Sequence, residues 1–314
     1  MVDLMLRQLK RTHPQLVPLS AASVDAIRQA SVPLEVKGDL LEAIWQNAGP
    51  LALLEIGQGI REVQYDPVWL AATRSATPVI LVSKWRQFEK FAHSRNRVRI
   101  AFLSDQEISC RRYTLDGGIP SLQENLFICG LIIALLENIG CLNLRSEMKI
   151  NEERFCLLRD GTFRVPEDLT SLDTSNWVVS WNGFSRNYKE NMACLEAQIQ
   201  LLERSIQTKK SLFLRSLLRL LLEDPSRQWR LDELAQASGS SRRSLQRRLG
   251  ECGLSFSKVT RLVRVHEACR LLDGNLMSIT GVAICCGFSD SAHLSRDFRA
   301  SMGMSPTQYR ELIG

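Results

Sequence analysis

The sequence predicts an α+β N-terminal domain followed by an all-α double helix-turn-helix domain. Three observations carry this expectation. Runs rich in β-branched and aromatic residues appear only in the first two thirds of the 314 residues. From Met192 onward the apolar residues recur three and four apart, the helical period. A helix-turn-helix pattern then repeats, with Ala283 and Gly287 standing 48 residues beyond Ala235 and Gly239. The expected division is 1–190, a helix and linker over 191–209, and 210–314.

In chain order, periodicity places helices near 23–30, 38–48 and 84–94, and β-rich runs at Pro78 to Ser83, Arg97 to Leu103 and near Trp177 to Trp181. Ser121 to Asn138 reads as a largely buried helix, apolar on most sides and closed by Gly140. Gly117-Gly118 and Gly161-Thr162 mark turns. Met192, Leu195, Ile199, Leu202 and Ile206 form an a/d seam, which fits either the same helix of a second subunit or an intramolecular core. The polar stretch Gln207-Thr208-Lys209-Lys210 reads as a linker.

The composition, 45% hydrophobic and 24% charged, is that of a folded globular chain rather than a disordered one. The longest apolar run, Leu126 to Ile139, is interrupted by Glu137 and Asn138 and falls short of the roughly 18 residues of a membrane span. The N-terminus has no uninterrupted hydrophobic segment of the secretory kind, so a cytoplasmic address and no membrane partner are expected. Nine cysteines carry no C-x-x-C pair and no zinc-finger spacing with histidine, so no metal or other cofactor is expected. Cys110 stands apart because Arg111 and Arg112 follow it, and nearby positive charge lowers a thiol pKa if the thiol is exposed. Residues 1–207 carry 23 Lys+Arg against 24 Asp+Glu, net −1, whereas residues 208–314 carry 17 against 10, net +7. A neutral domain beside a basic one is the charge distribution of a nucleic-acid-binding module, although a solvated basic face would look the same.

The segment LDELAQASGSSRRSLQRRL at 231–249 supplies the chemistry. Leu231, Leu234 and Ala235 form an apolar stripe, and the small Ala235 lets a second helix approach closely. Gly239 makes the turn, and Ser240 or Ser241 can cap the next helix. Leu245 and Leu249 at i, i+4 face the core, which turns Arg242, Arg243, Gln246 and Arg247 outward. Arginine can pair bidentately with guanine and glutamine with adenine, so this face has base-reading chemistry. In the second copy Leu294 and Phe298 face the core. Between the copies Phe256, Val259, Val263, Ala268 and Leu271 follow helical spacing. A helix from Ser255 to Leu272 would be about 27 Å long, comparable with the roughly 34 Å turn of B-DNA.

Residues 210–314 closely resemble the AraC/XylS regulators, most clearly in GFSDSAHLSRDFRASMGMSPTQYR from Gly287 to Arg310. The resemblance implies two helix-turn-helix units joined by a long helix, double-stranded DNA as partner, and transcription activation through RNA polymerase. It carries base-facing roles onto Arg243, Gln246 and Arg247 in the first unit and Ser291, Ala292 and Arg296 in the second. His293, Ser295 and Arg299 complete the polar surface of the second recognition helix. Arg248 and Arg299 read as phosphate contacts or solvated charges, and Arg296 as a DNA contact or an ion pair with Asp290 or a neighbouring acid. Gly281, inside the first helix of the second unit, departs from the pattern at a cost of about 1 kcal/mol relative to alanine. Pro306 and Tyr309 read as starting and packing the last helix.

The segment from Pro33 through LALLEIGQGI at 51–60 to the helix around Phe88 resembles the arabinose-binding-like domain of some of these regulators, which implies a small-molecule effector or homodimerisation. Trp45, Trp69, Trp85, Trp177 and Trp181 are the candidates for an effector pocket, against a plain core role. A protein-interaction domain without a small ligand is the alternative. An enzyme domain finds no support in nucleophile-elbow, phosphate-loop or zinc motifs.

Overall fold

The computed structural model describes residues 34–62, 67–92, 95–150, 153–167, 172–186, 192–206, 212–273 and 277–313, together with residues 8, 9, 11 and 169. The chain forms two compact units, Met1–Tyr188 and Lys189–Gly314. The expected helix near 23–30 and the expected linker at 207–210 lie outside the described residues.

The first unit begins with helix α1 (Leu34–Gly57), broken at Gly49-Pro50, followed by α2 (Pro67–Thr73) and α3 (Pro78–Ala92). Strands β1 (Asn96–Ser104) and β2 (Glu107–Thr114) precede helix α4 (Leu122–Ile139), and short β3 (Cys141–Leu142) follows it. Then come β4 (Arg145–Ile150), β5 (Glu153–Arg159), β6 (Thr162–Phe163), β7 (Leu172–Ser180) and β8 (Gly183–Phe184). Six strands make an antiparallel sheet in the order β1-β2-β7-β4-β5-β6, and β3 pairs with β8.

Helix α4 is the centre of this unit. Ser121 caps it by accepting from the Glu124 N–H, Gly140 ends it, and its apolar residues from Leu126 to Leu136 are buried. It is long and apolar enough to cross a membrane, yet α1, α3 and β7 pack around it. At Gly130 a Cβ would lie 2.2 Å from the Leu54 carbonyl oxygen, so α1 and α4 approach closer than any side chain allows. A polar cluster closes one end of this core. Glu124 accepts from Lys37 at 2.7 Å and from Asn96 at 2.6 Å and pairs with the buried Arg112 at 2.8 Å. Buried charge of this kind is tolerated because the carboxylate and the guanidinium face each other.

Pro78 to Ser83 is helical, not a strand. The Thr77 hydroxyl accepts from the Ile80 N–H and Pro78 occupies the first helical position, so the start signal overrides a β-branched run. The resulting helix protects the free edge of β1: Arg86 donates to the Ile100 carbonyl at 2.9 Å and Glu89 accepts from the Val98 N–H. Burial raises the Glu89 pKa to about 7. Cys110 is buried and burial pushes its thiol pKa well above the usual value, so the exposure that the flanking arginines would need to activate it is missing. Arg112, which shares its face, is committed to Glu124. Trp69, Trp85, Trp177 and Trp181 are core residues, and Trp45 is half-buried. An open cavity of about 610 Å³ is lined by Glu137, Asn138, Cys141 to Leu144, Asp160 and Gly161. Trp85 borders a void of about 10 Å³.

The second unit is all helical. It comprises α5 (Met192–Ile206), α6 (Leu212–Glu223), α7 (Leu231–Ala237), α8 (Arg242–Glu251), α9 (Phe256–Asp273), α10 (Ile279–Cys285), α11 (Ser291–Met302) and α12 (Pro306–Ile313). The seam of α5 is filled from within the chain: Leu195, Ile199 and Leu202 pack with Leu214, Leu217 and Leu221 of α6. Arg215 of α6 ties the two helices by pairing with Glu196 and with Glu203.

Candidate nucleic-acid interface

Two helix-turn-helix units stand at the two ends of α9, each with its own core. Val259 and Val263, in the first half of α9, join the core of α7 and α8 with Leu234, Ala235, Leu245 and Leu249. Val265, Ala268 and Leu272, in the second half, join the core of α10, α11 and α12 with Ala283, Phe288, Leu294 and Phe298. Eighteen residues of α-helix measure about 27 Å, and this helix is continuous from one core to the other.

In the first unit the turn is held by backbone bonds from Ser240 N–H to the Ala235 carbonyl, 2.8 Å, and from Ser238 N–H to that of Leu234, 3.0 Å. Gly239 has φ 64°, where a glycine is favoured. Ser241, not Ser240, caps α8 by accepting from the Ser244 N–H at 3.2 Å. With Leu245 and Leu249 fully buried, Arg242, Arg243, Gln246 and Arg247 all face solvent. Arg242 lies 3.4 Å from Asp232 and Arg247 pairs with Glu251 one turn on; these pairs are exposed and weak. Arg243 and Gln246 make no side-chain bond among the described residues. Arg248 differs from the expectation of a phosphate contact or solvated charge. Its guanidinium stacks 3.8 Å over the Phe213 ring and ties α8 to α6.

In the second unit Gly287 has φ 79° and Asp290 caps α11, accepting from the His293 N–H at 2.7 Å. The hydrogen bond from His293 and the neighbouring Ser289 hydroxyl hold the Asp290 pKa below the usual value. Asp290 is therefore a cap and not the ion-pair partner of Arg296. His293 is held inside the unit: its Nδ1 is 3.1 Å from the Ser289 hydroxyl, its Nε2 3.6 Å from Asp297, and its ring meets Phe288 edge-on at 5.2 Å. Ala292, Arg296 and Arg299 are exposed, while Ser291 and Ser295 are half-buried. Gly281 is buried at the third position of α10, with its N–H held by the cap residue Ser278. Ser305 and Gln308 form a reciprocal cap at the start of α12, where Pro306 is the first residue, and Tyr309 packs edge-on against Phe298 at 5.4 Å.

Two groups that sequence reasoning missed join the units. Gln228, in the loop before α7, donates to the Gly287 carbonyl, and Arg264, in the middle of α9, donates to the Gln228 side chain at 3.3 Å. No local pattern signals them, because their partners are 59 and 36 residues away.

A helix-turn-helix domain family matches residues 234–312. Residues 234–312 are an AraC-type helix-turn-helix domain. The chain is 30% identical over 91 residues to the urease operon transcriptional activator of Escherichia coli, covering 29% of this chain and 31% of that protein. It is 32% identical over 116 residues to the ornithine utilization regulator of Pseudomonas aeruginosa, covering 37% and 34%. The transcriptional activator RhaR of Pectobacterium atrosepticum is 28% identical over 171 residues, covering 53% and 60%. The chain thus spans about a third of the length of the first curated relatives it matches. Among solved structures, a transcriptional regulator from Chromobacterium violaceum described as AraC-type is 27% identical, covers 32% of this chain and 92% of that one, and has a TM-score of 0.32. The match starts at Leu234, inside α7, and ends within α12, so it takes in both units except the first three residues of α7 and the last of α12, and α5 and α6 precede it.

Proposed function

We propose that this protein is a cytoplasmic, sequence-specific DNA-binding transcription regulator that activates its targets. Each monomer reads two successive major-groove segments. The observation that carries the reading is α9, one helix with a separate helix-turn-helix core at each end and a recognition helix held on each core. Its length of about 27 Å suits neighbouring major grooves. Arg243 and Gln246, exposed and uncommitted, are the base readers of α8. Arg242 and Arg247 exchange weak surface pairs for DNA. Arg296 supplies the contact of α11, with Ser291, Ala292 and Ser295 beside it and Arg299 at the phosphate backbone. The relatives named as activators support the direction of control, with RNA polymerase as the further partner.

The test is selection from random-sequence duplexes with purified full-length protein, followed by titration of the best duplex at several salt concentrations. A recurring motif spanning two consecutive groove segments supports the reading. Binding that is weak, equal on all sequences and abolished by salt overturns it.

For the N-terminal unit, whose Trp69, Trp85, Trp177 and Trp181 are core residues, we read a homodimerisation or protein-interaction role, with a small-molecule effector as the alternative. Because the α5 seam is occupied within the chain, a homodimer forms through the first unit in this reading. Sedimentation of the full chain at micromolar concentration checks it, and a thermal-shift screen of small metabolites tests the effector alternative, since a ligand of the folded state raises stability.

A further inference from the structure

The two turn glycines occupy equivalent positions and have different surroundings. A Cβ at Gly239 would meet nothing within 4 Å. A Cβ at Gly287 would lie 3.0 Å from the Ser226 carbonyl oxygen, 3.1 Å from that of Pro225 and 3.2 Å from Arg264 Nε. The loop before α7, which belongs to the first helix-turn-helix unit, therefore sits directly on the turn of the second. That loop is built in: Asp224 and Ser226 are buried and bonded to each other at 2.9 Å. Arg227 stacks 3.6 Å over Trp229 and pairs with Glu233 of α7 at 3.4 Å, fixing the loop to the first unit.

Across this contact runs a chain of directional bonds. Gln228 donates to the Gly287 carbonyl, and Arg264 donates to Gln228 at 3.3 Å and to the Arg227 carbonyl at 3.5 Å. The guanidinium of Arg264 also lies 6.0 Å from the Phe288 ring, the aromatic core residue next to Gly287. The α9 helix by itself sets the distance between the two cores. Packing of Val265, Ala268 and Leu272 into the second core orients that unit about the helix axis, but non-directional apolar contacts alone hold that roll loosely. A bridge from the first unit through the middle of α9 to the turn that precedes α11 fixes that roll.

We propose that Gln228 and Arg264 are positioning residues that act as a spacing gauge, locking the angle between the two recognition helices and so setting which separation of DNA segments is bound tightly. This rests on the two-segment reading above. Neither residue need touch DNA: the bridge works by preorganisation, so that once the first segment is bound the second meets its helix at a high effective concentration.

The experiment uses the full-length protein and the best duplex recovered by selection with it. Companion duplexes carry one or two base pairs inserted between the segments, or a scrambled second segment. Fluorescence anisotropy gives the affinity of wild type, Gln228→Ala and Arg264→Lys for each. The bridge predicts that both variants bind the intact duplex about tenfold more weakly, lose most of the wild-type penalty for inserted base pairs, and bind the scrambled-segment duplex as wild type does. Arg264→Lys keeps the charge and removes the fork of donors, so it separates geometry from electrostatics. Variants with the wild-type spacing profile overturn the gauge. Equal loss on the scrambled-segment duplex also overturns it, by making the bridge a folding contact. If wild type itself prefers the intact duplex no more than the scrambled one, the two-segment reading fails, and the gauge with it.

Discussion

The two helix-turn-helix units share a fold and divide in what they leave available. In the first, α8 presents Arg243 and Gln246 with no partner among the described residues, and its turn glycine opens onto empty space. In the second, His293 is bound to Ser289 and Asp297, and the turn glycine is pressed against the loop of the first unit. Internal bonds are groups withdrawn from a ligand. In the proposed reading the first unit reads bases through Arg243 and Gln246, and the second is held at a defined angle and contributes through Arg296 and Arg299.

The largest expected effect tests whether the units are separate cores. Phe298→Ala should cost about 3–5 kcal/mol, and Leu245→Ala about 2–5 kcal/mol, since both side chains are fully buried. Hydrogen exchange should show protection lost in α10 to α12 for the first and in α7 and α8 for the second. Loss throughout both units from either change would merge them into one core. Next in size is the glycine pair. Alanine at Gly239 should cost only the left-handed backbone, about 1–2 kcal/mol. At Gly287 the contacts at 3.0–3.2 Å add to this, so denaturant unfolding should place Gly287→Ala below Gly239→Ala. Equal stabilities would mean that the loop at 224–228 yields freely.

Arg243→Ala then sharpens the functional contrast. If it pairs bidentately with a base, binding to the selected duplex should weaken by about 1–3 kcal/mol, with relaxed preference at one position. Arg296→Ala should weaken the selected duplex by less than Arg243→Ala and should reduce the preference for it over a duplex with a scrambled second segment. Competition titrations with both duplexes decide. A reversed pattern would exchange the roles assigned to α8 and α11.

What the sequence revealed divides along the range of the interactions. Ser121, Gly140 and Gly239 act within one helix or turn, and Leu245 and Phe298 face their cores as the i, i+4 spacing announced. The error at Pro78 to Ser83 has a local cause too: Val79 to Val82 has strand composition, and Thr77-Pro78 is a helix start that composition conceals. Arg248 on Phe213 and Gln228 on Gly287 were illegible because each joins elements distant in sequence. Exposure of Arg242, Arg243, Gln246 and Arg247 was legible because the burial of two leucines dictates it. The committed state of His293 rests on Asp297 one helical turn on, a spacing the sequence displays, and on Phe288 and Ser289 across the turn, which periodicity does not encode.

The smallest effect concerns the caps. Ser241 caps α8 with a hydroxyl that does not titrate, whereas Asp290 caps α11 with a carboxylate whose pKa is lowered by the His293 N–H. A carboxylate with a lowered folded-state pKa stabilises above its unfolded value and loses that contribution as pH falls through the folded value. The α10–α12 region should therefore open earlier than α7–α8 as pH falls below the ordinary value of 3.8. Asp290→Asn keeps an acceptor for the N–H and removes the titration, so it should make the acid response of the two units more alike. Residue-resolved exchange between pH 5 and pH 3 is the measurement, and an unchanged difference in Asp290→Asn would move the acid sensitivity to another group.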